Sequence, residues 1–447
     1  MDTYMEEREA GRLEIYSVKR NVLNMFSIVI VSATYSISLD STVLYPAVYH
    51  AIVNQPMLGA RIHNCHSKIP IVKKLKTIDL DKVVKYADDQ KVDSFCNNAL
   101  QNFKLCYDDE TLPLWMVYVL NDKSELVFIY DHSLFDGGSG PLFHKYVLEG
   151  LQMSKTNFSS STVPVSELPL PKNLEKLIDV HPSWFCLMKA LWTNSGLPFS
   201  KGFRSPSYKG HAPVRPFSSH TIFFSISNTV VKNIKQLSKS IDASFTSIFY
   251  SVFMLSIYYA IAENGKVNLD MLIDVNARRF LPVAKQTMGN YVFSYVHHLN
   301  GFQPSQRQED YKHTMVDLAT EFSHRLKAAL SNPREMSQQI GLLSYIDIED
   351  YLLKSCEKTR GNTAEISNLG YFSFPADSSV KIKSMAFAQP CSSLSAPFVL
   401  NVITVADGPC SFSLSIFDDG NTEQTHELAI KIRDKFLSIL EKVSMNS

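Results

Sequence analysis

The chain has 447 residues, with 44 basic and 44 acidic side chains, so its formal net charge at pH 7 is zero. A zero net charge argues against a nucleic-acid partner and gives no support for binding to an anionic membrane. Hydrophobic residues make up 45% of the chain and charged residues 20%, the composition of a globular protein. The length predicts two or three domains, or one duplicated pair.

The cysteines and the N-terminus indicate a cytoplasmic protein. Seven cysteines are present, an odd total without a Cys-x-x-Cys pair, which fits free thiols in a reducing compartment. Residues Met1–Glu9 are acidic and lack the apolar core of a signal peptide. His63, Cys65 and His66 lie close together in sequence, but no companion pair completes the four ligands that zinc requires. We therefore predict no metal site.

The first half alternates helical and strand patterns. Leu44, Val48 and Ile52 mark an amphipathic helix with Pro46 near its first turn. Two β-rich segments flank the turn-forming residues Asn121–Ser124 and predict a hairpin. The remaining first-half predictions are a helix over 12–24 and strands over 26–37, from Ala60, over 116–120 and over 126–130.

A histidine motif stands between a predicted strand and a predicted helix. His132-Ser-Leu-Phe-Asp136-Gly follows the apolar segment Glu125–Asp131 and precedes Leu142–Leu148. An imidazole with an ordinary pKa of about 6.5 accepts and returns a proton near neutrality, as a general base must. From the composition, His-x-x-x-Asp-Gly is expected by chance roughly 0.03 times in this chain.

A second His-x-x-x-Asp serves as an internal control. His313 and Asp317 fit the same spacing, but no glycine follows, and they lie in the helix-like run Tyr311–Leu330. Residues four apart share one face of a helix. We predict that this pair lies on a solvated helix face.

The middle of the chain carries two loop-like stretches. Lys155–Lys172 is rich in Ser and Pro, and Asn194–Ser219 holds four prolines and three glycines. The second stretch is long for a loop inside one domain, which favours a boundary there. We predict an N-terminal lobe over 1–193 carrying the motif, a crossover linker over 194–219 and a C-terminal lobe over 220–447.

The second half repeats the mixture of strands and helices. The segment 246–262 is too short and too polar for a membrane span and predicts a buried helix, with Ser244 as its cap. A terminal helix has an apolar stripe from Leu428 to Val443, predicted to be core, with a membrane or lipid-droplet contact as the alternative. The other predictions are strands over 220–226, 267–274, 385–388, 399–406 and 410–417, and helices over 228–240 and 244–262.

The strand-end motif resembles the active-site motif of the CoA-dependent acyltransferase superfamily, which includes chloramphenicol acetyltransferases, plant BAHD acyltransferases and peptide-synthetase condensation domains. The closer resemblance is to the fungal alcohol acetyltransferase family, and it covers about residues 12–443. Five further segments agree with that family in order: Leu44–Leu58, Pro113–Leu120, Asp274–Pro282, Ser367–Gly370 and Phe417–Gly420.

Two departures narrow the resemblance. Condensation domains usually carry a second histidine just before the motif histidine, and Asp131 occupies that place here, which argues against peptide condensation. The Asp-Phe-Gly-Trp-Gly motif of plant BAHD enzymes is absent, which leaves the fungal branch.

The resemblance implies an α+β fold of two chloramphenicol-acetyltransferase-like lobes, each a mixed β-sheet flanked by helices, with the active site in a tunnel between them. It implies transfer of an acetyl or short acyl group from acyl-CoA, the co-substrate, to an alcohol, with no bound cofactor or metal. One alternative is N-acetylation of a lipid-like amine such as a sphingoid base. Another is a non-catalytic member that binds a lipid or a partner. We expect a monomer that contacts the endoplasmic reticulum or lipid droplets peripherally.

The resemblance also assigns roles to residues. His132 is the expected general base, and Asp136 is expected to pair with Arg278 and fix the loop, although direct orientation of the imidazole by Asp136 is the alternative. Gly137 and Gly138 permit backbone angles that other residues rarely adopt, and they let a substrate approach the backbone closely. Ser367 and Asn368 are candidate contacts to the oxyanion or substrate, with a satisfied turn as the alternative.

Overall fold

The computed structural model describes residues 3–445 except 27, 88–89, 121–122, 154–159, 195–206, 263–264, 306, 308–309, 357–359, 375–378, 395 and 419. Parts of the predicted turn 121–124, of the loop 155–172, of the linker 194–219 and of the segment 417–420 therefore lie outside the described residues.

The first half contains nine strands and six helices among the residues described above. The predicted hairpin strands and the amphipathic helix are confirmed, although Pro46 lies in the second turn of that helix, which begins at Ser41. The elements are β1 (Tyr4–Glu9), α1 (Arg12–Val22), β2 (Val29–Tyr35), α2 (Ser41–Asn54), β3 (Ala60–His63), β4 (Ile71–Leu75), β5 (Thr77–Asp79), α3 (Leu80–Val83), β6 (Val84–Tyr86), α4 (Val92–Asn102), β7 (Trp115–Leu120), β8 (Glu125–Tyr130), α5 (Ser139–Gln152), β9 (Thr162–Pro164) and α6 (Trp184–Asn194).

The second half contains the remaining elements of the described chain. Every strand and helix predicted there is present, with shifts of up to three residues at the ends. The elements are β10 (Ser218–Ile226), α7 (Asn228–Ser240), α8 (Phe245–Ile261), β11 (Val267–Asn276), β12 (Val292–Phe302), α9 (Tyr311–Ser331), α10 (Arg334–Leu342), α11 (Ile348–Cys356), β13 (Ala364–Phe372), β14 (Ile382–Ala388), β15 (Phe398–Val405), β16 (Cys410–Asp418) and α12 (Thr422–Met445).

Two mixed sheets form the centres of the two halves. The first has the strand order β14-β2-β8-β7-β6, and the second has the order β10-β16-β15-β13-β11-β12. In the second sheet β13 runs parallel to both β11 and β15. A three-stranded sheet, β1-β4-β3, and the pair β5-β9 complete the strands of the described chain. The fold is therefore α+β with two sheet-centred lobes, as predicted.

The two apolar helices α8 and α12 belong to the core of the second half. Ser244 caps α8, because its hydroxyl accepts a hydrogen bond of 3.0 Å from the Ser247 amide, and twelve consecutive residues from Ser247 to Tyr258 are buried. Along α12, Ile432, Phe436 and Leu440 are at most 1% exposed. Both helices thus have the core positions that were predicted.

No single helix among the described residues is long and apolar enough to cross a membrane. Only taken together do α7 and α8 have the length and composition of a membrane span, and the chain bends by 103° between the two helices.

One strand crosses between the halves. β14 comes from the second half of the chain but pairs antiparallel with β2 at the edge of the first sheet, with Phe387 opposite Val31. The region 220–447 therefore supplies one strand to the sheet of the first half. Because β14 also contacts β15 and β16, this strand ties the two sheets together beside the motif loop.

Candidate active site

The motif loop leaves the middle of the first sheet. All six residues of β8 are buried, and β8 pairs with β2 on one side and β7 on the other. Asp131 anchors the end of this strand: its carboxylate accepts hydrogen bonds from Tyr107 (2.9 Å) and from the Ser133 amide (2.7 Å), and a further one from Asn21. Asp131, the residue that departs from the condensation-domain pattern, therefore holds the start of the loop in place.

His132 lines a small cavity at the seam between the two halves. The cavity, of about 60 Å³, is bounded by the motif loop on one side and by residues of β11 and β13 on the other. The Nδ1 atom of His132 is buried and has no hydrogen-bond partner in another residue. Its backbone carbonyl accepts a 2.7 Å hydrogen bond from Asn290, which holds the residue in place from the second half.

The surroundings of His132 keep its imidazole neutral. Burial lowers its pKa to about 4, and the nearby charge of Arg20 acts in the same direction. The ring of Phe26 packs edge-on against the imidazole with 5.7 Å between centroids, and the Arg20 guanidinium lies 4.6 Å from the centroid of the same phenyl ring. At neutral pH His132 is therefore unprotonated, the state that a general base requires.

Asp136 pairs with Arg278 across the seam. Two guanidinium nitrogens of Arg278 donate to the two carboxylate oxygens of Asp136, at 2.6 and 3.0 Å. The Ser139 amide and hydroxyl, both at 3.0 Å, and the Tyr291 amide at 2.8 Å donate to the same carboxylate. Both paired side chains are almost completely buried. The hydrogen bonds of Asp136 thus fix the loop, and none of them involves the His132 imidazole.

The two glycines let the loop approach the second half closely. A Cβ on Gly137 would lie 2.6 Å from a methyl group of Leu369, and a Cβ on Gly138 would lie 3.2 Å from a guanidinium nitrogen of Arg278. A side chain at 137 would therefore require the Leu369 side chain on β13 to move.

Ser367 and Asn368 lie opposite the motif and line the same cavity. The Asn368 amide nitrogen donates to Thr246 at 3.0 Å, and its amide oxygen accepts from the Gly370 backbone at 2.9 Å. These two bonds fit the satisfied turn, and the position of Asn368 on the cavity wall fits the contact to a substrate, so both expectations stay predictions. The structure brings all seven sequence-predicted residues to one place: His132, Asp136, Gly137, Gly138, Arg278, Ser367 and Asn368.

The sequence argument missed several residues of the candidate site: Asn290 and Tyr291, which donate to the motif loop, and three further polar residues. Asp274 and Gln389 line the cavity of His132, and Glu365 accepts a 3.0 Å hydrogen bond from Gln389. Asp274 stands in the segment quoted for the family resemblance, so its position was marked, but its role was not. For Gln389 and Glu365 the sequence holds no spacing or motif signal, because they come from separate strands and loops.

A second, larger cavity lies on the other side of Phe26. Its volume is about 600 Å³, and its walls come from the end of α1, from α4 and from residues 215–219 and 390–391. Lys104 and Arg215 give it basic character, and Phe26 belongs to its wall as well as to the packing around His132. The described residues contain no group of three or more His, Cys, Asp or Glu side chains placed to hold a metal ion.

Comparisons with known proteins agree on one family. The sequence profile of the family described as alcohol acetyltransferase matches residues 9–444. The probable alcohol acetyltransferase crmB of Aspergillus fumigatus is 22% identical over 96% of this chain and 99% of its own length. The N-acetyltransferase SLI1 of Saccharomyces cerevisiae is 22% identical over 81% of this chain and 84% of its own.

A solved structure shares the fold. The trichothecene 15-O-acetyltransferase TRI3 of Fusarium sporotrichioides superposes with a TM-score of 0.66 at 10% identity, covering 96% of this chain and 95% of that one. At this identity the likeness concerns the architecture alone, the two-lobed fold of CoA-dependent acyltransferases. Because the family profile extends over nearly the whole chain, the chain belongs to the alcohol acetyltransferase family.

Proposed function

We propose that this protein transfers an acetyl group from acetyl-CoA to the hydroxyl group of an alcohol, with His132 as general base in a ternary complex. The observation that carries the proposal is the His132 imidazole on a cavity wall at the seam of the two halves, with a buried Nδ1 that has no hydrogen-bond partner in another residue. Membership of an acetyltransferase family supports the class of reaction.

The reaction needs one proton transfer in each direction. His132 takes the hydroxyl proton as the alcohol oxygen attacks the thioester carbonyl, which forms a tetrahedral oxyanion. The oxyanion collapses, the carbon–sulfur bond breaks, and the leaving thiolate takes the proton back from the imidazolium. General-base catalysis of this kind contributes ~10²–10⁴-fold to the rate, and holding both substrates together contributes much of the rest. Neither a covalent enzyme intermediate nor a metal enters these steps.

The Asp136–Arg278 pair acts as a positioning element in this scheme. It fixes the loop that carries His132 to the turn after β11, and the Asn290 bond to the His132 carbonyl adds a second link between the halves. A neutral, rigidly held imidazole loses little free energy to reorganisation when the substrates arrive. For the oxyanion we propose hydrogen bonds from Ser367 and Asn368, since both line the cavity.

The larger cavity is the proposed entrance for the CoA arm. Its volume of about 600 Å³ is ten times that of the cavity beside His132, and ligand sites commonly occupy about 300–1,000 Å³. Lys104 and Arg215 in its wall are suited to bind phosphate groups. Because Phe26 stands between the two cavities, its side chain must allow the thioester to pass.

An amine acceptor is the second candidate. The relative SLI1 is named an N-acetyltransferase, and an amine nucleophile would use the same base and the same thioester chemistry. A carboxyl side chain, Asp274, also lines the cavity of His132. A carboxyl group at this place bears on the class of acceptor.

The test is the release of free CoA thiol from acetyl-CoA with a panel of alcohols, sterols and sphingoid amines. His132→Ala should lower the rate by about 10²–10⁴-fold. His313→Ala is the matched control, because that histidine belongs to the second His-x-x-x-Asp and its side chain is 81% exposed, so the rate should not change. A native rate in His132→Ala would remove the general-base assignment. Lipid binding without any thiol release would favour the non-catalytic alternative.

We further propose that α6 brings the enzyme to a lipid surface. Trp184, Phe185, Leu191 and Trp192 on this helix are between 54% and 79% exposed, and the chain has only three tryptophans. Exposed Trp and Phe beside aliphatic residues suit the membrane–water interface. The full chain should co-sediment with phosphatidylcholine vesicles, and the double variant Trp184→Ser/Trp192→Ser should not. Equal sedimentation of both proteins would exclude this role for α6.

A further inference from the structure

Two carboxyl side chains stand next to each other beside the proposed base. Asp274 lies on β11 and Glu365 on β13, and these strands pair in parallel with Leu272 opposite Glu365 and Ile273 opposite Ile366. Side chains alternate between the two faces of a sheet, so Asp274 and Glu365 project from the same face. Asp274 lines the cavity that also holds His132 and the buried, unpartnered Nδ1 of its imidazole.

Two uncharged polar side chains lie beside the carboxyls. The side-chain amide of Gln389 donates to Glu365 at 3.0 Å, and Gln389 and Ser367 line the same cavity as Asp274. Gln389 and Ser367 are each 5% exposed and Glu365 is 9% exposed, whereas Asp274 itself is half-buried. Within the described part of the chain, Asp274 makes no ion pair shorter than 4 Å with a basic residue.

The surroundings of Asp274 disfavour its ionised form. Burial and the charge of Glu365 raise the pKa of Asp274 well above its usual value, because partial removal from water and a neighbouring negative charge both disfavour ionisation of a carboxyl. Arg20 acts in the opposite sense on Asp274, but its guanidinium is stacked on the rings of Tyr16 and Phe26 at 4.8 and 4.6 Å. A cation brought by the substrate would favour the ionised form of Asp274 directly.

We propose that Asp274 binds the ammonium group of an amino-alcohol acceptor whose hydroxyl group faces His132. The inference rests on the proposed function and names the class of its acceptor. The cavity of about 60 Å³ accommodates a head group of a few atoms, so the remainder of the acceptor must extend beyond it. The ammonium group keeps its protons throughout, and the single proton that moves is the hydroxyl proton described above.

A matched pair of acceptors isolates the charge. Protonated 2-(dimethylamino)ethanol and 3-methyl-1-butanol have the same shape, but only the first is cationic, and its tertiary nitrogen forms no amide. We expect kcat/KM for the cationic acceptor to exceed that for the neutral isostere by at least about tenfold, as measured by thiol release from acetyl-CoA. A hydrogen bond to a charged group supports a factor of about 10–100. Equal values, or a preference for the neutral alcohol, would overturn the inference.

The variant Asp274→Asn should reduce the ratio of the two kcat/KM values by about 10–100-fold, chiefly through the KM of the cationic acceptor. Asp274→Ser, which removes the same carboxyl, should reduce it in the same direction and serves if Asp274→Asn does not fold. Asp270→Asn is the control, because Asp270 lies on the same strand but pairs with His298, away from the cavity. An unchanged ratio in both carboxyl variants would refute the role.

Failure of this inference is distinguishable from failure of the proposed function. His132→Ala should abolish thiol release with both acceptors, whatever their ratio in the native protein. If His132→Ala loses activity and the acceptor ratio is insensitive to Asp274→Asn, acyl transfer by His132 stands and the ammonium site falls.

Discussion

Replacing Asp136 by Asn removes the negative charge that faces Arg278 while keeping the size of the side chain. The two side chains are 4% and 3% exposed, so water cannot take the place of the carboxylate. Five hydrogen bonds converge on that carboxylate, two of them from Arg278. Because a broken buried pair leaves an uncompensated charge, Asp136→Asn and Arg278→Gln should each lower the free energy of unfolding by about 3–5 kcal/mol.

The measurement is urea-induced unfolding of the native chain, the two single variants and the double variant. The double variant should lose less free energy of unfolding than the sum of the two single variants, by about 1–3 kcal/mol, because the second substitution removes the charge that the first one left unpaired. The matched control is Asp317→Asn. Its pair with His313 has a similar length, 2.8 Å, but both side chains are well exposed, so the cost should stay below about 0.5 kcal/mol.

Two outcomes would refute the reasoning. Single-variant costs near those of Asp317→Asn would mean that water reaches the pair. Additive costs would mean that Asp136 and Arg278 contribute independently, through Ser139, Tyr291 and other neighbours, and not as a pair.

Three further outcomes follow from buried groups. Measured by thiol release, kcat/KM should stay level from pH 8 down to about 5 and then fall with an apparent pKa near 4, because that is the pKa of His132 in the folded chain. An apparent pKa near 6.5 would contradict the buried environment of His132. Burial also lowers the pKa of His144 to about 4, so the unfolded chain binds the extra proton and the free energy of unfolding should fall as the pH drops from 6.5 toward 4. His144→Gln should flatten that fall by up to about 3 kcal/mol, as urea midpoints at several pH values would show. Gly150→Ala should lower the urea midpoint at pH 7, because the new Cβ would lie 2.7 Å from the Ala47 Cα. Overpacking of this kind typically costs about 1–3 kcal/mol. An unchanged midpoint would mean that α2 and α5 separate freely.

Local patterns were sufficient to predict most of the large elements. The bounds of α7 were predicted as they are found, because its apolar period is regular and Ser227 caps it through the Val230 amide. The strands β1, β4, β12 and β13 were not predicted, and neither were the short strands β5, β6 and β9. The three short strands have three residues each, too few to display alternation, and each exists because a partner strand supplies its hydrogen bonds.

The site divides in the same way between contiguous and assembled residues. His132 to Gly138 were identified because they adjoin one another at a strand end. Arg278 was assigned only through the family resemblance, since no spacing rule connects positions so far apart in the chain. Asp274 and Glu365 meet through the register of β11 and β13, a tertiary property that periodicity does not encode.

The crossing strand β14 has a consequence for how the protein is made. β2 emerges from the ribosome early. Its partner on one side is β8, from the same half, but its other partner, β14, lies about 350 residues further along the chain. At ordinary translation speeds of about 5–20 residues per second, that side of β2 waits roughly 20–70 s before β14 is synthesised. An unpaired strand edge is a template for pairing with foreign chains, so the nascent polypeptide depends on chaperones or temporary cover until nearly the last tenth of its synthesis.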